Sequence, residues 1–126
     1  MKQKWSRKWI SSRQTRKQRK YLYNAPLHIA RKIMSARLSK ELKQKYGKRS
    51  IPIRKSDKVK IMVGQFKGKI GKIEKVNTKH RRVYIEDIYT TKKDGNKIRY
   101  PIHTSNLIVL ELNLDDKLRR KALERK

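Results

Sequence analysis

Residues 54 to 88 limit what this chain can fold into more than any other stretch. Val59, Ile61 and Val63 alternate with Lys58, Lys60 and Met62, the period of a strand buried on one face. Gly64-Gln65-Phe66-Lys67-Gly68 then supplies a turn, because glycine takes up at little steric cost the positive φ that a tight reversal often needs. After it Ile70, Ile73 and Val76 are apolar, while Lys69, Lys72 and Lys75 are cationic. Asn77 to Arg81 reads as a second turn, and Val83 and Ile85 restart the alternation. Gly71 stands inside the second strand, where a glycine weakens the sheet unless a bulge, a bend or a close backbone approach requires it.

Asp57-x-Val59-x-Ile61, then Gly64-x-Phe66-Lys67-Gly68-Lys69-Ile70-Gly71-Lys72-Ile73, closing at Val76, resembles a KOW motif. It departs at Ser56, where that family usually has glycine. The resemblance implies a mainly β fold: a small barrel of the Src-homology-three kind, of the sort found in ribosomal proteins and transcription elongation factors. On this reading the chain divides into a basic, partly helical N-terminal arm at 1–50, a KOW barrel at 51–112 and a short C-terminal helix or tail at 113–126.

Charge decides the class of partner. The 126 residues carry 38 Lys or Arg against 10 Asp or Glu, a formal net charge of +28. Self-repulsion of that size calls for a polyanion. The charge is uneven: residues 1–55 hold 19 basic side chains and the single acid Glu41, while 56–88 hold nine against four. Hydrophobic residues are only 35%, so the core must be small, and part of the arm is expected to order only on its partner. In Arg16-Lys17-Gln18-Arg19-Lys20, flanked by Trp5, Trp9, Tyr21 and Tyr23, cations interleave with rings that can stack on unpaired bases. The bland alternative is a solvated tail. Two tryptophans among the first nine residues argue against one, since they need somewhere to be buried.

Punctuation along the rest of the chain places its elements. Pro26 breaks the arm after Asn24-Ala25, and a short helical turn over Ile29 to Ala36 points Ile33 and Met34 inward. Ser39 can cap a helix over Lys40 to Tyr46 that stops at Gly47. Tyr89 to Tyr100 reads as a hairpin closed by Asp94-Gly95, and Leu107 to Leu112 as a last strand, buried on both faces. Asp115 and Asp116 suit the start of a helix reaching Glu124.

A second resemblance spans almost the whole chain. Arg16-Lys17-Gln18-Arg19-Lys20, Tyr23-Asn24-Ala25-Pro26-Leu27-His28, Met34-Ser35-Ala36, Leu38-Ser39-Lys40-Glu41-Leu42, Lys45-Tyr46-Gly47, Pro101-Ile102-His103-x-Ser105-Asn106 and Leu114-Asp115-Asp116-Lys117 carry it. Together they resemble the archaeal and eukaryotic form of the KOW-containing large-subunit ribosomal protein, number twenty-four in the universal naming. Thr15 and Thr104 stand where that family has prolines. The resemblance implies a structural constituent of the cytoplasmic ribosome that binds ribosomal RNA near the rim of the polypeptide exit tunnel and supports subunit assembly. Neighbouring ribosomal proteins would be partners, and a nascent chain or exit-site factors would pass close by. The hairpin at Tyr89 to Tyr100 is then the loop directed toward the tunnel mouth.

The residues expected to meet RNA are Arg16, Lys17, Arg19, Lys20, Tyr21, Asn24, His28, Arg31, Lys32, Arg49, Lys67, Lys69, Lys72, His103, Ser105 and Asn106. Lys and Arg would neutralise phosphates; His28, Ser105 and Asn106 would bond ribose or base edges. A transcription elongation regulator with a KOW module is the alternative, but it would carry a second, less basic domain for polymerase. Enzymatic chemistry is not expected: Glu86 and Asp87 face opposite sides of a strand, and Gly64-x-x-x-Gly68-Lys69 lacks the spacing of a phosphate loop. Neither is a cofactor or metal, since there is no cysteine and His28, His80 and His103 are scattered. No apolar run is long enough to insert in a membrane, and no signal segment is apparent.

Overall fold

The structure is a computed structural model and describes residues 5, 6, 8, 9 and 11–125. Three short helices precede most of the sheet: α1 (Thr15–Asn24), α2 (Leu27–Ile33) and α3 (Lys40–Tyr46). Between α2 and α3 lies β1 (Ser35–Leu38), and after α3 comes β2 (Ser50–Pro52). The KOW stretch supplies β3 (Lys58–Ile61), β4 (Ile70–Asn77) and β5 (Arg82–Ile85). A separate two-stranded hairpin, β6 (Tyr89–Thr91) with β7 (Lys97–Arg99), follows, then β8 (Ile102–His103), a 3-10 turn at Thr104–Asn106, β9 (Leu107–Glu111) and α4 (Lys117–Glu124).

The main sheet runs in the order β2-β1-β9-β3-β4-β5-β8. Its outer strands do not pair, so the mainly β, KOW-type fold is present but the expected barrel is not closed. Closure requires edge strands to tilt and meet in register. Strands of three and two residues offer little to pair with. Every adjacent pair is antiparallel except β1 with β9, where Arg37 and Leu38 lie beside Ile108 and Val109.

The alternation sorts the core as expected at Val59, Ile61, Ile73, Val83 and Ile85, all essentially buried. Strand β3 stops at Ile61, however, and Val63 is exposed in the turn. Gly71 is a close-approach glycine: a Cβ there would stand 2.7 Å from Ile85 Cγ2 and 3.1 Å from the Glu86 carbonyl oxygen. The register shift between Ile73 and Lys75 bends the same strand, letting β4 pair first with β3 and then with β5.

Two extensions complete this core. Met34, Ala36 and Leu38 are buried in it, so a segment read as part of the arm supplies the β9 neighbour. The helical turn expected to reach Ala36 ends at Ile33 instead, and Ala36 is extended. Strand β9 buries one face only: Leu107 and Val109 are inside, Ile108 and Leu110 half-buried. At the far end α4 inserts Leu123 and Arg119. Asp116 caps that helix, its carboxylate accepting from the Leu118 N–H at 2.8 Å. Ser39 and Gly47 bound α3 as their chemistry requires, with Ser39 Oγ accepting from Leu42 N–H and Gly47 at φ +63°.

A buried ion pair ties α4 to the KOW motif. Arg119 donates through Nη1 to Asp57 Oδ1 at 2.6 Å and through Nη2 to Oδ2 at 2.7 Å. The carboxylate also accepts the Arg54 and Asn113 N–H groups, and the guanidinium reaches the Asn113 and Pro52 carbonyls. The residue before Asp57 explains the motif's usual glycine: Ser56 sits at φ +70°, a region that costs an L-residue roughly 1–2 kcal/mol. Thr15 and Thr104 are each the first residue of a helical turn. Proline is favoured there because its missing N–H has no helical partner in any case, so threonine keeps the same path.

Candidate nucleic-acid interface

The cationic side chains gather on three surfaces. The largest is a groove of about 1020 Å³ where α2 lies along the sheet. Helix α2 brings His28, Arg31 and Lys32, the loop after β2 brings Arg54 and Lys55, and β4 and β7 bring Lys75 and Arg99. Arg31 and Lys32 sit in the last turn of α2, where cations suit the helix dipole. Arg54 is held by Asp116 and Arg99 by Glu74. Arg31, Lys32, Lys55 and Lys75 have no acidic partner among the described residues, so four positive charges stand unneutralised over one concave strip.

The second surface is a smaller hollow of about 210 Å³ at the KOW turn, where Gly64, Gln65 and Phe66 meet Arg82, His103 and Asn106. The Met62 N–H donates to the Asn106 carbonyl at 2.8 Å, which fixes the turn against the 3-10 segment. Phe66 packs edge-on to Tyr100 at 5.1 Å between centroids, and Lys69 Nζ lies 5.3 Å from the Phe66 centroid. His103 Nδ1 is 2.8 Å from Ser105 Oγ and accepts the Ser105 N–H at 3.3 Å, which leaves Nε2 to carry the ring proton when neutral. Burial and then the nearby Arg82 and Arg81 guanidiniums hold its pKa below the usual histidine value.

The third surface is α1. Lys17, Lys20, Tyr21 and Asn24 follow helical spacing and share one stripe; Arg16, Arg19 and Tyr23 share another. Tyr23 is 87% exposed, whereas Tyr21 is half-covered by the two tryptophans. Trp9 stacks on it at 4.3 Å and Trp5 leans on it at 5.1 Å. The tryptophans therefore find their burial within the arm.

Thus the sixteen expected residues do not form one site. His28, Arg31 and Lys32 join the groove; His103 and Asn106 line the turn hollow, with Ser105 bonded to His103 and Lys67 and Lys69 exposed on the turn itself. Arg16, Lys17, Arg19, Lys20, Tyr21 and Asn24 belong to α1. Arg49 and Lys72 are exposed and line none of these hollows. Arg54, Lys55, Lys75, Arg82 and Arg99 were missed. Lys75 was legible as an outward strand position, but only the fold carries it to α2.

Concave cationic strips on a small open sheet, with Glu74 and Asp116 already held in ion pairs to Arg99 and Arg54, define a polycationic KOW-type β protein suited to a phosphate backbone. Residues 12–126 match the family of ribosomal proteins described as L26 in eukaryotes and L24 in archaea, and the chain belongs to that family. It is 49% identical over 117 residues to the large ribosomal subunit protein uL24 of Korarchaeum cryptofilum (strain OPF8), covering 93% of this chain and 89% of that one. It is also 49% identical over 115 residues to the protein of the same name from Methanosphaera stadtmanae, covering 91% and 98%. As a member of this family it is a structural, non-enzymatic constituent of the large ribosomal subunit. Among the described residues, no helix is long and apolar enough to cross a membrane.

Proposed function

We propose that the chain binds ribosomal RNA of the large subunit at the rim of the polypeptide exit tunnel in the cytoplasmic ribosome, and supports subunit assembly by neutralising and fastening RNA there. The observation that carries RNA binding is the groove under α2, where Arg31, Lys32, Lys55 and Lys75 line a trough of about 1020 Å³ without acidic partners among the described residues. Helix α1 adds a second cationic strip. None of its ten residues is fully buried and none is acidic, and Arg16 repels Lys20 one turn away. So short a helix is marginal alone, which supports an arm that orders on RNA while the residues from Met34 onward fold by themselves.

The position at the rim is supported by the hairpin. Strands β6 and β7 stand out from the sheet with every residue exposed. The turn closes by Lys92 N–H to the Asn96 carbonyl at 2.9 Å, and Tyr100 N–H to the Ile88 carbonyl fixes its base. It extends ~17 Å at about 3.3 Å per residue, enough to line an opening and too little to plug it. Lys92, Lys93 and Lys97 face neighbouring RNA, ribosomal proteins or a passing nascent chain.

The test is salt-dependent binding of the full chain to large-subunit RNA. With roughly ten phosphates neutralised, the log–log slope is about −9 on the duplex rule. Changing Arg31, Lys32, Lys55 and Lys75 to Ala should flatten it by about three to four units. An unchanged slope refutes the groove as the RNA surface. A photo-crosslinker at Asn96 should label exit-rim RNA or an emerging chain; labelling confined to the subunit interface refutes the placement alone.

A further inference from the structure

We propose that the arm carries a pocket for one unstacked RNA nucleotide, formed by Trp5, Trp9 and Tyr21 above the Lys17 and Lys20 side of α1. The pocket rests on the reading of the chain as an RNA binder and adds a site of defined chemistry to it. Lys17, Lys20, Tyr21 and Asn24 fall at helical spacing, so two cations, a ring and an amide lie on one stripe. Trp9 and Trp5 cap that stripe through Tyr21 without sealing it, because all three rings remain half-buried. Between them is a hollow of about 260 Å³ bordered by the same six residues and Ser6. That is several times the roughly 30 Å³ share of a water molecule and admits a planar base.

A second observation points to what fills it. The Trp5 Nε1–H is shielded from solvent and has no hydrogen-bond partner among the described residues. Indole nitrogen is a donor only, so the missing partner is an acceptor, and a buried donor is costly to leave unmet. A nucleotide answers every feature. Its base offers a flat π face to the rings and carbonyl or ring-nitrogen acceptors to the indole N–H. Its phosphate meets Lys17 and Lys20, while Asn24 can both donate to and accept from the base edge. An acidic peptide would satisfy the lysines but offers no ring to stack. Trp5 and Trp9 lie ahead of residue 12, where the family match begins, whereas Tyr21 and α1 lie inside it.

The chain contains only two tryptophans, so its tryptophan fluorescence reports on this site alone. The full chain is titrated at fixed salt with a single-stranded RNA decamer, the same decamer made abasic, inorganic polyphosphate and a fully paired RNA duplex. The decamer should quench the tryptophans far more than the abasic strand or polyphosphate. By anisotropy of labelled RNA, Trp5→Ala with Trp9→Ala should weaken decamer binding about 5- to 150-fold, the range of one base–aromatic stack. Duplex binding and melting temperature should stay unchanged, since neither tryptophan belongs to the sheet's core. Trp9→Phe, which keeps a ring, should recover most of the affinity. Equal quenching by polyphosphate, or equal decamer affinity in the double variant, overturns the pocket and leaves the RNA reading intact. Quenching that arises only within the assembled subunit, and with none of the free RNAs, assigns the cluster to a protein neighbour and overturns it too. Binding to neither decamer nor duplex removes the RNA reading and the pocket together.

Discussion

Replacing Arg119 by Ala should be the most damaging single change outside the sheet. The guanidinium is 4% exposed and its partner Asp57 is fully buried, so solvent cannot replace what is lost. Removal deletes a two-pronged bond at 2.6 and 2.7 Å together with contacts to the Asn113 and Pro52 carbonyls. It also leaves a carboxylate in the core with only the Arg54 and Asn113 N–H groups as donors. Breaking a buried pair from one side costs about 3–5 kcal/mol. At about 4 °C per kcal/mol for a chain of this size, the melting temperature should fall by about 12–20 °C. Arg119→Lys should recover less than half, because one ammonium cannot span both carboxylate oxygens as the planar fork does. A double-mutant cycle with Asp57→Ala, read by urea denaturation, should give a coupling of at least about 2 kcal/mol. A coupling below about 0.5 kcal/mol, or a melting shift of only a few degrees for Arg119→Ala, would show that α4 is held by Leu123 and not by the ion pair.

Three further outcomes are expected. Gly71→Val should lose about 1–3 kcal/mol in urea denaturation, since a Cβ at 2.7 Å from Ile85 Cγ2 and 3.1 Å from backbone forces a shift; an unchanged midpoint contradicts the close approach. Ser56→Gly should instead stabilise by about 0.5–1 kcal/mol, the relief of a left-handed serine less the added freedom of the unfolded glycine; a loss would mean the hydroxyl contributes more than the strain costs. His103 has a depressed pKa in the fold, so the unfolded chain takes up its proton first. Its contribution to stability is present above about pH 6.5 and is lost as pH falls toward the folded value. His103→Asn should flatten the loss of melting temperature across that window, and parallel profiles for the two proteins would exclude the histidine as its source.

Much of this molecule is set by short-range rules that can be read along the chain. The alternation at Val59 to Ile61 and Val83 to Ile85, the turn at Gly64, the hairpin at Asp94-Gly95 and the caps at Ser39, Gly47 and Asp116 each depend on a few adjacent residues. The polycationic character, and with it the class of partner, follows from composition. What the sequence could not show depends on residues far apart. Strand β1 is four residues long, too short for a period to stand out, and only its seat between β2 and β9 makes it a strand. Asp57 and Arg119, 62 positions apart, look like two surface charges until the fold buries both. The open edges at β2 and β8 depend on where strands meet in space, which the motif does not encode. The candidate site divides in the same way: that the cations call for a polyanion was legible from charge alone. Which of them share a groove was decided by the packing of α2 against β2, because like charges repel and come together only where a folded scaffold holds them on one face.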